Sequence, residues 1–129
     1  GDRGAYSRYH PEDGLPIMLK VKDVPASLPL DQATALYRVM QESVQNVVKH
    51  AEASEVKIRL SGSSKGVGLS VMDNGRGFDT AGTLADPKGL GLISMQERLR
   101  LADGLLRVHS LPRGGTKVCA WIPSREAAA

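Results

Sequence analysis

The sequence predicts an α+β domain in which helices lie on one face of a mixed sheet of about five strands. Runs in which apolar and polar residues alternate are joined in pairs by tight turns, as expected of antiparallel hairpins. Segments with apolar residues at helical spacing lie between these pairs, and such helices pack on a sheet. With 129 residues, of which 41% are hydrophobic and 24% charged, the chain is long enough for one such domain.

The first part of the chain contains a strand and, after a long helix, a hairpin. Residues 1–16 contain several Gly and Pro residues with little periodicity, which predicts a loose lead-in. Alternation over 17–24 predicts a strand, which two prolines end. Alternating apolar residues in 56–61 and 67–73 predict the two strands of a hairpin with a glycine-containing turn.

A long helix is predicted to begin with Asp31 as its cap and to end near Ala51. At about 100° per residue, its apolar residues fall within an arc of about 120°, and this side is expected to pack. The apolar residues of this arc are Leu36, Tyr37, Met40, Val44, Val47, Val48 and Ala51. The opposite side, which is left to water or a ligand, contains Arg38, Glu42, Asn46 and Lys49.

The second part of the chain contains a glycine-rich loop, a short helix and another hairpin. Residues 78–88 connect two glycine-rich segments and are expected to form a mobile lid over a bound ligand. A helix over about 92–101 follows, and strands around 106–108 and 116–122 form the second hairpin. Residues 124–129 are expected to be a frayed tail.

Composition excludes several classes of function. The single cysteine, Cys119, excludes an internal disulfide and a cysteine-rich zinc site. The net charge is +3 and the basic residues are scattered along the chain, so no nucleic-acid-binding stripe is expected. No apolar run reaches the ~18 residues of a membrane span, and this domain is not expected to contact a membrane.

Asp73 is the most informative single residue. It continues the alternation of the preceding strand, which places its carboxylate on the buried face at the strand end. A buried carboxylate is costly unless hydrogen-bond donors surround it. Asp73 therefore either caps the turn at Asn74 and Gly75 or holds a polar edge, such as an exocyclic amine, at the mouth of an apolar slot.

Two glycine-rich segments are compatible with a nucleotide site. Gly75 and Gly77 permit a close backbone approach and a positive φ, although most such pairs form turns. Gly89, Leu90 and Gly91 precede a helix, whose free N–H groups suit a phosphate. Taken alone, the second segment is more simply explained as a helix start.

The polar side of the long helix offers a third set of groups. Glu42 and Asn46 are one turn apart, and Lys49 lies beside them. They supply an acid, an oxygen ligand for Mg²⁺ and a cation for phosphate, because nucleotide-bound Mg²⁺ takes only one or two protein oxygens. An ordinary solvated helix face is the alternative.

Four segments together resemble the catalytic ATP-binding domain of sensor histidine kinases. Residues 42–51 resemble the N box, and residues 73–78 and 89–92 resemble the two glycine boxes. Residues 114–116 resemble the threonine segment near the end of that domain. The Lys-His-Ala ending of the first segment and the short lid are most similar to the nitrate-sensor-type subfamily. The superfamily of these ATPases, named GHKL, also includes gyrase, Hsp90 and MutL.

The resemblance implies a two-layer α/β sandwich of the Bergerat type over 17–123, with ATP bound between the long helix and the lid. Asp73 would bind the adenine amine, and Thr116 would assist through water. Asn46 would coordinate Mg²⁺, while Glu42 would be the catalytic residue, acting on the attacking group or on a metal-bound water. The other ATP-binding residues would be Lys49, His50, Gly75, Gly77, Phe78, Gly89, Leu90, Gly91 and Leu92.

The implied function is transfer of the ATP γ-phosphoryl group to a histidine on a separate dimerisation helix, with a response regulator downstream. No histidine of the chain is followed by Asp or Glu, so the domain is expected to lack its own phosphoacceptor. The family's separate phenylalanine box is also missing. The expected location is cytoplasmic, including the cytoplasmic part of a membrane-bound sensor. The alternatives are an anti-sigma-factor-type serine kinase and a nucleotide-gated interaction module without turnover.

Overall fold

A computed structural model describes residues 6–9, 14–77, 91–111 and 113–125. The strands within these residues are β1 (Ser7–Tyr9), β2 (Ile17–Lys22), β3 (Val56–Ser63), β4 (Gly66–Asp73), β5 (Leu105–Leu111) and β6 (Gly115–Pro123). The helices are α1 (Leu30–Asn46), which continues into a π-helical turn (Val47–Ala51), and α2 (Leu92–Leu101). The lid expected over 78–88 lies outside the described residues.

The strands form one mixed sheet in the order β1-β2-β3-β4-β6-β5. Strands β2 and β3 are parallel because the α1 crossover joins them, whereas the other neighbouring strands are antiparallel. The α+β prediction is confirmed, but the sheet has six strands rather than about five. The additional strand is β1, whose three residues lie in the expected lead-in and are too few to show an alternation.

Both helices contact the sheet, and they also contact each other. The residues of β3, β4 and β6 that face the helices form, with the helices, an aliphatic core. None of the helices in the described residues is long and apolar enough to cross a membrane. The buried core residues are Ala35, Leu36, Val39, Val47, Val56, Ile58, Val67, Leu69, Val71, Leu92, Met95, Leu99, Ala102, Val118, Ala120 and Ile122.

The buried side of α1 differs from the predicted side. Tyr37 and Val48, which were expected to pack, are 54% and 63% exposed. At 100° per residue, the arc that is buried is rotated by roughly 100° from the predicted one, toward the polar side. The buried residues of α1 are Gln32, Ala35, Leu36, Val39 and Ser43.

Two polar residues explain this rotation, because each finds a partner in the core. The Gln32 side-chain amide donates to the carbonyl oxygens of Ala102 and Pro123, at 3.4 and 3.3 Å. The Ser43 hydroxyl lies 3.7 Å from the sulfur of Met95 on α2. Buried polar groups are tolerated where they are hydrogen-bonded, so an apolar arc alone does not determine which side of a helix packs.

The start of α1 also differs from the prediction. Pro29 is the residue at the cap position, and no side chain caps the helix. Asp31 lies inside the first turn, where its carboxylate is favoured by the helix dipole. The Arg125 guanidinium donates to both of its oxygens, at 3.0 and 2.5 Å. This hydrogen bonding from Arg125 holds the pKa of the Asp31 carboxyl below its ordinary value.

Candidate functional site

The candidate site begins at Asp73, the last residue of β4. Its side chain lies on the face covered by the helices and is only 7% exposed, so the burial predicted from the alternation is confirmed. The Gly75 N–H donates to Oδ1 at 2.7 Å, and the Thr116 N–H also donates to the carboxylate. Burial raises the pKa of the Asp73 carboxyl above its ordinary value, and these two N–H groups oppose the rise.

Asp73 therefore caps the turn, but the turn does not occupy all the hydrogen-bond acceptor positions of its carboxylate. A carboxylate offers about four acceptor positions, and the two backbone N–H groups occupy only part of them. A ligand amine that donates to the remaining positions would compensate the desolvation of the carboxylate. The two interpretations that the sequence left open are thus compatible with each other.

Thr116 and Ser110 form a pair of hydroxyl groups beside Asp73. They are directly opposite each other on β6 and β5, and their oxygens are 2.7 Å apart. The Ser110 hydroxyl donates to the Gly115 carbonyl oxygen at 3.3 Å. Either hydroxyl can be the donor of this bond, and Thr116 Oγ1 keeps acceptor capacity if Ser110 donates to Gly115. No local pattern in the sequence indicates Ser110, since its role depends on a cross-strand register.

Gly115 fixes the distance between β6 and the end of β4. Its φ is +81°, and a Cβ at this position would collide with the Asp73 carbonyl oxygen. A side chain here would push Thr116 away from the Asp73 carboxylate, in addition to the backbone strain.

We expect Gly115→Ala to lower the free energy of unfolding by about 1–3 kcal/mol, because the left-handed backbone and the collision both disfavour a Cβ. Chemical denaturation measures this change. Gly114→Ala is the matched control, since Gly114 is exposed and is not among the positive-φ residues. Equal losses for the two variants would contradict the close approach of β6 to Asp73.

The loop after Asp73 is held on both sides. The Asn74 side-chain oxygen accepts from the N–H groups of Ser54 and Glu55, at 2.9 and 3.2 Å. The Asn74 amide donates to the Ser54 hydroxyl at 2.7 Å. On the other side, the Arg113 N–H donates to the Arg76 carbonyl oxygen. The backbone that follows Asp73 is thus fixed by contacts distant in sequence, which no local motif indicates.

The polar residues of α1 approach the same end of the sheet. Gln32, near the start of α1, bonds to Pro123 at the end of β6, so α1 runs toward the end of the sheet where β6 begins and β4 ends. Glu42 and Asn46 lie on the later turns of α1 and are half-buried, whereas Lys49 is exposed. The rotation of α1 therefore places Glu42 and Asn46 at the border of the core rather than on a fully solvated face.

Glu42 lies beside the start of α2. A Cβ at Gly91 would be 3.4 Å from Glu42 Oε2, so the carboxylate closely approaches the Gly91 backbone. Gly91 has a φ of +64° and precedes Leu92, the first residue of α2. The contact between Ser43 and Met95 holds the two helices together at this level. The structure thus brings the acid of α1 to the helix start that was predicted to suit a phosphate.

The remaining predicted site residues fall into two groups. Gly75 is buried and is not among the positive-φ residues, whereas Gly77 has a φ of +68°, a left-handed backbone that favours glycine. Phe78, Gly89, Leu90 and the side chain of His50 lie outside the described residues.

The oxygen atoms of this site suit a cation that is also coordinated by phosphate groups. In the described residues, no group of three or more His, Cys, Asp or Glu side chains could hold a metal ion. Magnesium on nucleotide phosphates needs only one or two protein oxygens, and the half-buried Asn46 offers one. The donor set therefore fits Mg²⁺ carried by a nucleotide better than a metal held by protein ligands alone.

Comparison with known families identifies the class of protein to which this fold and site belong. The family described as histidine kinase-, DNA gyrase B-, and HSP90-like ATPase matches residues 31–126. This match covers most of the chain and includes α1, the end of β4, α2 and the second hairpin. The chain therefore belongs to the histidine kinase-, DNA gyrase B- and HSP90-like ATPases.

Within this family, the chain is homologous to the catalytic ATPase domain of sensor histidine kinases. It is 40% identical over 98 residues to the sensor histidine kinase MctS of Rhizobium johnstonii, which covers 75% of this chain and 21% of MctS. It is 38% identical over 92 residues to the sensor histidine kinase ComP of Bacillus subtilis, covering 71% of this chain and 12% of ComP. The chain thus spans about a fifth or less of the length of these relatives.

A solved structure supports the fold. The histidine kinase domain of a blue-light activated histidine kinase from Erythrobacter litoralis EL346 superposes with a TM-score of 0.63 and 21% identity. The superposition covers 83% of this chain and 51% of the other chain. The α+β architecture with a mixed sheet is therefore that of a histidine kinase ATPase domain.

Proposed function

We propose that this domain binds MgATP and transfers the γ-phosphoryl group to a histidine on a separate dimerisation helix of a two-component sensor kinase. The observation that supports it most strongly is the buried Asp73 carboxylate, which keeps acceptor capacity at the end of the sheet that Glu42 and Asn46 approach. The curated relatives favour this function over a serine kinase or a nucleotide-gated module without turnover. The nitrate-sensor-type subfamily remains our proposal.

Recognition of the adenine base is assigned to Asp73 and Thr116. Asp73 accepts a hydrogen bond from the exocyclic amine, and this bond compensates the burial that raises the pKa of its carboxyl. Thr116 Oγ1 bonds to a bridging water, while its other hydrogen bond pairs it with Ser110. Gly75 and Gly77 let the backbone approach the base without a Cβ.

Binding of the phosphates is assigned to the α1 side of the site and to the start of α2. Asn46 supplies an oxygen ligand to Mg²⁺, and the metal, when bound, neutralises charge on the phosphates. Free N–H groups at the start of α2 donate to phosphate oxygens. The other proposed ATP-binding residues are Lys49, His50, Phe78, Gly89, Leu90, Gly91 and Leu92.

Glu42 is the proposed catalytic residue. Its half-buried carboxylate lies next to Gly91, where the phosphates are expected, and it can polarise the attacking histidine nitrogen or a metal-bound water. Residues 17–123 form the proposed catalytic unit, and its proposed location is the cytoplasm. The proposed partners are the dimerisation helix and a downstream response regulator.

We expect the domain to bind ATP in the presence of Mg²⁺ and to label itself barely, because none of its histidines resembles a phosphoacceptor. A separately produced dimerisation helix pair should instead acquire acid-labile phosphate from radiolabelled ATP. Omission of Mg²⁺ is the control. Acid-labile phosphate on His10, His50 or His109 would contradict this expectation, and acid-stable phosphoserine on the partner would favour the serine kinase.

A further inference from the structure

The face of the sheet turned away from the helices is strongly basic. In the strand register, residues that alternate with the core positions lie side by side on this face, as in the row Lys20, Arg59, Ser70, Cys119 and Arg107. Within the described strands this face contains no Asp or Glu. The cations that define this surface, here named the basic sheet face, are Arg8, Lys22, Lys57, Arg107 and Lys117, whereas Lys20, on the same side of the sheet, is buried.

The clustering of these cations is not visible along the sequence. The basic residues are scattered along the chain, but the alternation of each strand assigns its Lys and Arg residues to the same side. The acid of the strands, Asp73, lies on the opposite face. A modest net charge of +3 therefore conceals one surface of concentrated positive charge.

A groove with an apolar floor crosses the basic sheet face. Its volume is about 520 Å³, and Trp121 and Leu105 line it together with Arg59, Arg107 and Lys117. The Trp121 ring lies along β4, because a Cβ at Gly68 would be 3.6 Å from the indole Cε3. Leu105 is 47% exposed. The groove thus offers contact to one apolar side chain and places the exposed Arg107 and Lys117 beside it.

We propose that the basic sheet face docks an acidic segment of a partner protein, in which carboxylates flank one apolar side chain. Charge complementarity favours a negative partner, since the exposed side chains of Arg107 and Lys117 line the groove. The apolar side chain fills the groove over Trp121 and Leu105. This surface lies on the side of the sheet opposite to the candidate nucleotide site, so the partner and a nucleotide can bind together.

Two features favour a protein over a membrane or a nucleic acid. Trp121 lies against β4 and does not protrude, whereas membrane-bound surfaces insert aromatic side chains between lipids. The Tyr6 ring already contacts the ammonium groups of Lys20 and Lys57, whose Nζ atoms are 5.7 and 6.0 Å from its centroid. Its face is thus engaged by cations, while single-stranded nucleic acids need free aromatic faces for stacking.

The sole tryptophan of the chain, Trp121, provides a direct probe. We expect an acetylated peptide with a central Leu flanked by Glu residues to change the Trp121 fluorescence saturably, with an affinity that falls as salt rises. The same peptide with Gln in place of Glu should bind at least about tenfold more weakly. Absence of a saturable change with the Glu peptide would overturn the proposal.

Charge reversal locates the binding surface. The double variant Arg107→Glu with Lys117→Glu should weaken peptide binding by about tenfold or more in calorimetry. The matched control is Arg98→Glu with Lys65→Glu, which changes the net charge equally at exposed positions away from this face and should bind within about twofold of the parent. Equal losses in the two double variants would overturn the proposal.

Two further measurements complete the test. Thermal unfolding verifies the fold of each variant, and Arg107→Gln with Lys117→Gln replaces the reversal if that variant does not fold. A thymidine oligonucleotide and phosphatidylglycerol vesicles are titrated at the same ionic strength as the peptide. Tighter binding of either one, with loss in the Arg107 and Lys117 variants, would overturn the proposal in favour of a nucleic acid or a membrane.

Discussion

Asp73→Asn is expected to weaken ATP binding by about 5- to 150-fold while the fold stays intact. An asparagine can turn its amide donor toward the adenine amine, and an unmade buried hydrogen bond costs about 1–3 kcal/mol. The asparagine oxygen can still accept from the Gly75 N–H, so the turn after β4 is kept. Calorimetric titration with MgATP measures the loss.

The same substitution is also expected to change how the stability of the domain depends on pH. Burial raises the pKa of the Asp73 carboxyl, so the folded state favours the protonated form. The free energy of unfolding that the Asp73 carboxyl contributes is fully present below its unfolded-state pKa of 3.8. This contribution is lost as the pH rises through the higher folded-state pKa. Because asparagine does not ionise, the melting temperature of the variant relative to the parent should rise over that pH range in the absence of nucleotide.

Two controls make this prediction specific. Asp23→Asn removes an exposed carboxylate beyond the end of β2 and should leave ATP affinity unchanged. GTP offers a carbonyl at the edge where ATP offers an amine, so the parent should reject GTP. Equal affinity of the parent for ATP and GTP would be incompatible with the assigned role of Asp73.

Local patterns predicted most of the fold, because apolar residues alternate along the strands and recur at helical spacing in the helices. The hairpins of β3 with β4 and of β5 with β6 are both confirmed. The edge strand β1 was missed because it has three residues and is defined by its pairing with β2. The cap predicted at Asp31 was wrong, since its carboxylate pairs with Arg125, 94 positions away in sequence.

The packed side of α1 shows why apolar spacing has limits. The predicted arc counted hydrophobic residues, but Gln32 and Ser43 are buried because partners in α2 and β6 satisfy or contact them. Tyr37 is exposed instead. These contacts are defined by tertiary structure and leave no local signal.

The candidate site was predictable to a different extent at each residue. The burial of Asp73 followed from the alternation of one strand and is confirmed. The second N–H donor to its carboxylate, Thr116, and the partner of Thr116, Ser110, come from other strands and depend on their register. The position of Glu42 beside Gly91 likewise depends on how α1 packs against α2.

Substitutions of Glu42 and of Asn46 are expected to have different effects, although the two residues are one turn apart on α1. If Asn46 is the metal ligand, Asn46→Ala should remove the Mg²⁺-dependent part of ATP affinity and abolish transfer. If Glu42 acts on the attacking group, Glu42→Gln should leave MgATP affinity within a few-fold and lower the transfer rate by about 10²–10⁴-fold. MgATP titration and transfer to a separately supplied acceptor helix measure both quantities.

The contrast between the two variants separates catalysis from binding, because a group that acts only in the transition state changes the rate and not the affinity. Glu97→Gln is the matched control for Glu42→Gln, since Glu97 is an exposed acid of α2 and its ion pair with Arg100 is solvent-exposed. Loss of Mg²⁺ affinity in Glu42→Gln as well would assign Glu42 to a metal-bound water instead. If both variants bind and transfer like the parent, this side of α1 is an ordinary helix surface and the proposed roles of Glu42 and Asn46 are wrong.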